Sequence, residues 1–101
     1  MSEGIKRIAA ERQRQIEAEG WTPEHDAEHI MGEMAAVAGL YALYCIDPEI
    51  RDVDDMHSVF QDFWPSSWDS SWWKPGDDLR NLEKAGALIA AEIDRRLRAE
   101  S

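Results

Sequence analysis

A chain of 101 residues has room for one domain and a modest core, which association with other copies would enlarge. Its formal charge of −10 argues against binding nucleic acid through phosphates, and leaves a basic partner or carboxylates around a divalent cation as options. With one cysteine there is no internal disulfide, the N-terminus has no apolar signal core, and no apolar run nears the ~20 residues of a membrane span; a cytoplasmic protein without a membrane partner is expected.

Residues 1–101 read as a single all-α domain: a small bundle of three or four helices, with a Trp-rich irregular loop before the last one. Ser2 to Glu19 forms the first helix, capped by Ser2 with Glu3 in the first turn. Ile5, Ile8 and Ile16 mark its inner face, and Arg12 falls in that stripe. A guanidinium on an apolar face needs a partner. Either a carboxylate from another helix or a ligand phosphate would serve. Gly20 ends the helix, and Thr22-Pro23 supplies a cap and a first-turn proline for the next.

Asp26 to Cys45 is the stretch around which the chain is expected to be organised. It has no proline and no charge after Glu33, and apolar or small residues fill nearly every position from Ile30. His25, His29 and Glu33 recur at i, i+4, i+8 and so share one side of a continuous helix. They form a titratable head on an apolar rod.

Asp47-Pro48-Glu49 restarts the chain, and Ile50, Val53, His57, Phe60 and Trp64 recur at helical spacing. The segment from Trp64 to Asp78 follows, broken by Pro65, Pro75 and Gly76 and carrying Trp64, Trp68, Trp72 and Trp73. Such rings cover a core, line a pocket or meet a second subunit. Asp77 or Asp78 caps the last helix, which runs to about Arg98. Leu79, Leu82, Gly86, Ile89, Ile93 and Leu97 read as its inner stripe, with Glu92 beside it.

Two sets of residues carry candidate chemistry. The acidic and imidazole head, with His29 and Glu33 nearest the buried part, has the donors for a cation. In the tryptophan loop, Trp68, Trp72 and Trp73 offer aromatic faces for a base, and Lys74 a charge for a phosphate. Cys45 has no neighbouring charge to activate it and reads as packing.

ERQRQIEAEGWTPEHDAEH, GEMAAVAGLYA, WPSSWDSSWWKP and LEKAGALIAAEIDR together resemble a set of small uncharacterised phage and prophage proteins. That set in turn resembles, more weakly, the phage branch of the MazG-like all-α nucleotide pyrophosphohydrolases. The resemblance implies an oligomeric helical bundle in a bacterial host. In it, carboxylates on two helices hold magnesium against nucleotide phosphates. Carried over by residue, Glu33 matches the glutamate of a GE pair, His29 stands where the family has a glutamate, and Glu92 falls near the terminal acids. The resulting metal set, Glu33 and Glu92, has fewer oxygens than two magnesium ions need. The expectation is therefore a homo-oligomeric phage accessory protein that binds a nucleotide-like molecule through Arg12, His29, Glu33, Trp68, Trp72, Trp73 and Lys74. It would sequester a host nucleotide signal. The alternatives are a magnesium-dependent pyrophosphohydrolase and an acidic inhibitor or adaptor of a basic host partner.

Overall fold

The computed structural model describes residues 1–46 and 53–100. In chain order these form α1 (Glu3–Ala18), α2 (Pro23–Asp26), α3 (Glu33–Leu43), α4 (Val53–Phe63), a 3-10 turn (Ser70–Trp72) and α5 (Asp78–Glu100), with no strand among them. The all-α expectation holds, with five α-helices rather than three or four. The restart at Asp47-Pro48-Glu49 lies outside the described residues.

The predicted caps are present. Ser2 Oγ accepts from Ile5 N–H at 3.2 Å, and Thr22 Oγ1 accepts from His25 N–H at 3.3 Å. Asp77 Oδ1 accepts from Arg80 N–H at 2.9 Å. Each satisfies an amide that the helix itself leaves unpaired. Gly20 adopts φ +72°, the left-handed conformation in which a side chain would be strained.

Three expectations need correction. First, the stretch from Asp26 is not one helix. α2 ends at Asp26, two turn hydrogen bonds follow, from Glu28 and His29 N–H to His25 and Asp26 C=O, and Gly32 at φ +83° starts α3. Glu33 reaches back to accept from Met31 N–H at 2.5 Å, which fixes the entry into α3. Ile30 and Met31, at the chain reversal, are exposed.

Second, the element with the most partners is α5, which packs against α3, α1 and α2, while α4 rests on α3. α3 buries one side only. Met34, Val37, Ala38 and Tyr41 face inward, whereas Ala35, Gly39 and Ala42 are exposed. The core joins those side chains to Ala85, Leu88 and Ala91 of α5 and to Trp68 of the loop.

Third, the inner face of α5 is not its aliphatic stripe. Asn81, Ala85, Leu88 and Glu92 point inward, and Leu79, Leu82, Ile89, Ile93 and Leu97 are exposed. α1 repeats the pattern one position off the expectation. Its buried residues are Glu11 and Gln15, and Ile5 is outside. The two helices meet where Ile8 lies over Gly86. A Cβ on that glycine would come within 2.6 Å of Ile8 Cδ1, so the close approach requires glycine.

Candidate functional site

Glu11 is the hub of the charged seam between α1 and α5. It is almost fully buried, and four donors converge on its carboxylate. Arg14 binds it through Nε at 2.8 Å and Nη2 at 2.9 Å, Arg80 Nη2 at 2.7 Å, and Gln15 Nε2 at 3.2 Å. Burial by itself would raise its pKa, but the bonds and charges of Arg14 and Arg80 outweigh this and hold it at about 2. The carboxylate is therefore ionised at any neutral pH and positions two guanidinium groups.

On one side of Glu11 lies a hollow enclosing about 290 Å³ of empty space, part of it open to solvent. Its walls come from five places in the chain. α1 gives Glu11, Arg14 and Gln15. The turn after it gives Glu19 and Trp21, the loop gives Trp72 and Lys74, and α3 and α5 give Tyr41, Lys84 and Leu88. Three aromatic rings and three cations thus line one space. The enclosed part has room for about one water. A larger guest must move Lys74 and Lys84, which now bond Glu19 and the Lys74 carbonyl. Lys84 also lies over the Tyr41 ring, 5.7 Å from its centre. Burial, with help from the Arg80 charge, lowers the Lys84 pKa from its ordinary value. Gln15 Oε1 is buried here with no hydrogen-bond partner among the described residues.

On the other side, Arg7, Ala10, Glu11, Arg14, Arg80 and Glu83 line an open groove of about 610 Å³. Glu11 and Arg14 border both spaces. Five of the eleven basic residues of a strongly acidic chain gather around this one seam.

A second polar cluster adjoins the hollow through Trp21 and Trp72. His25 and His29 meet edge to face at 4.7 Å, and His29 packs on Trp68 at 5.2 Å. Trp21 stacks on His25, and Trp72 contacts both His25 and Trp68. His25 Nδ1, Asp26 Oδ1, His29 Nε2 and Trp68 Nε1 are buried there without hydrogen-bond partners among the described residues.

The residues singled out from sequence are divided between these places. Trp72 and Lys74 line the hollow. His29 and Glu33 are adjacent, with Nδ1 to Oε2 at 3.5 Å, despite the break in the helix. Arg12 has a structural partner. It bonds Asp26 at 2.6 Å and the Trp21 carbonyl at 3.1 Å, and it does not line the hollow. Trp68 is core, and Trp73 packs on Tyr41, Phe60 and Trp64.

The metal assignment to Glu33 and Glu92 does not fit. Glu92 Oε1 accepts from Arg95 at 2.6 Å and Oε2 from Arg96 at 3.2 Å. The Arg95 charge is also stabilised by Glu33, so an arginine neutralises these acids. Among the described residues no group of three or more His, Cys, Asp or Glu is placed to hold a metal ion. Cys45 packs as expected, its thiol donating to Tyr41 C=O at 3.4 Å.

Arg14, Gln15, Tyr41 and Lys84 were missed, and one signal could have found some of them. Glu11 and Gln15 stand three and seven residues after Ile8, at positions where an amphipathic helix carries apolar residues. Polar residues at such positions mark a place where packing has been given up for something else. No family model matches the chain, and no curated protein or solved structure does either.

Proposed function

We propose that this chain binds an anionic aromatic small molecule of the nucleotide type at the α1–α5 seam. The reading rests on one observation: the hollow combines Trp21, Tyr41 and Trp72 with Arg14, Lys74 and Lys84 in a protein whose net charge is −10. Rings bind a base by stacking, at roughly 1–3 kcal/mol per base. Cations beside them bind phosphate, and the Gln15 carbonyl oxygen is an acceptor for an exocyclic amine. The guest enters by displacing the Lys74–Glu19 pair and lifting Trp72, so binding and loop movement are one event. The three Arg residues of the adjoining groove extend the positive surface beyond Glu11.

Binding without hydrolysis is the favoured form, because Glu33 and Glu92 are engaged with Met31, His29, Arg95 and Arg96 rather than grouped as metal ligands. A phage accessory protein that sequesters a nucleotide signal is the biological setting this suggests. A thermal-shift and calorimetric screen of mononucleotides, dinucleotides and cyclic nucleotides tests it. The expected result is a rise in Tm and a change in Trp fluorescence with at least one class, both abolished in Trp72→Ala and Lys84→Ala. A flat response to every nucleotide at millimolar concentration overturns it.

A second reading has its own observation. Between α1 and α5, residues 19–77 carry thirteen acidic and two basic side chains. That excess suits a basic protein partner, and such a complex would weaken steeply with salt.

A further inference from the structure

Leu88 apart, the large aliphatic side chains of α5, with Ile5 of α1, are on the wrong side for a monomer. Leu79, Leu82, Ile89, Ile93 and Leu97 are between 47 and 61 % exposed, and Ile5 is 52 % exposed. On α5 they are spaced by three and four residues with Gly86 at the remaining seam position, which is the pattern of a helix seam that packs on another helix. The row runs about 27 Å along the helix. Ile8, lying over Gly86, joins it to Ile5 on α1. Meanwhile Glu11, Gln15, Asn81 and Glu92 occupy inward positions of these helices, beside Ala85, Leu88 and Ala91. Monomers seldom leave an apolar patch beyond roughly 300–600 Å². Six Leu and Ile side chains, each about half open, reach the upper end of that range.

Charge decides what covers the patch. α1 and α5 hold nine of the eleven basic residues and eight of the twenty-one acidic ones, a net of +1, and the rest of the chain carries −11. A basic partner attracted by the acidic surplus would dock elsewhere. A membrane surface would select an excess of Lys and Arg on the flanks, which a near-neutral pair does not offer. A second copy, by contrast, can bring this face against its own equivalent while the acidic parts stay apart.

We infer that the Leu79–Leu97 row of α5, with Ile5 of α1, is the subunit interface of a homodimer. Sedimentation velocity of the full chain tests it. The wild type is expected to sediment at twice the mass of one chain and to show a Tm that rises with protein concentration. Ile89→Glu with Ile93→Glu is expected to give a monomer with unchanged helical circular dichroism. Ile93→Lys alone is the gentler variant should the double one lose its helices, and is expected to weaken dimerisation at least tenfold. Phe63→Lys, on α4, is expected to leave the dimer intact. A monomeric wild type with a concentration-independent Tm overturns the inference, and so does a dimer that survives substitution at Ile93. Both readouts are independent of any nucleotide, so failure here and failure of the binding site are separable.

Discussion

Against α3 and the loop, α5 presents Leu88, Ala85 and Ala91 to Met34, Val37, Tyr41 and Trp68; against α1 it presents Arg80 and Glu83 to Glu11 and Arg7, with Ile8 over Gly86 as an apolar contact. The first contact is stabilised by area removed from water, which has no angular requirement and no pH dependence. The second is stabilised by a carboxylate whose desolvation is offset by three charge-assisted donors and an amide. Such a seam contributes less net stability than an apolar one of equal size. What it provides is a fixed array of cations, and both hollows lie along it.

The contrast can be broken most severely on the apolar side. Leu88 is fully buried, and Leu88→Ala should cost about 3 kcal/mol in urea unfolding, through lost burial and the cavity left behind. On the charged side, Glu11→Gln keeps the shape but removes the charge that Arg14 and Arg80 share. About 2 kcal/mol is expected, below the value for fully buried partners because both guanidinium groups reach solvent.

The same carboxylate sets a pH signature. Its folded pKa of about 2 lies below the ordinary 4.5, so its contribution is complete above pH 4.5 and is lost as pH falls toward 2. Glu19 and Glu92 are shifted in the same direction, each having ion-pair partners that outweigh burial. The midpoint of unfolding should therefore drop across that window, and Glu11→Gln should drop less steeply than wild type. Equal slopes would mean that the seam is not where the acid sensitivity resides.

Smaller effects sharpen the picture. Gly86→Ala gains helix propensity but drives a methyl into Ile8, for a net cost of about 1 kcal/mol. Ile8→Val in the same chain should recover part of it, because the clash is with the Ile8 side chain. Ser2→Ala removes a cap at an exposed helix end, and about 0.5 kcal/mol with only local fraying of α1 is expected in hydrogen exchange.

Much of the fold was legible because its signals are local. Ser2, Gly20, Thr22-Pro23 and Asp77 act within four residues of themselves, and each stands where the sequence placed it. α4, too, follows from its spacing of apolar residues. Trp72 and Lys74 could be chosen as candidates because rings and charge in a proline-broken loop are unusual wherever they end up. Gln15 was readable only as a polar residue at an apolar position, and Arg14, Tyr41 and Lys84 not at all, since nothing near them in the chain says which residues from other helices they will meet.

The amino-acid order alone determined that the protein is helical, where α1, α2 and α5 begin, and that it carries a surplus of acid. Tertiary structure decided which side of each helix faces inward. Periodicity shows that α5 has an aliphatic row, but not that the row lies outside while Asn81 and Glu92 lie within. That outcome depends on what the neighbours offer. A buried carboxylate with Arg14 and Arg80 at hand is stable, and a glycine at position 86 lets α1 come close enough to supply it.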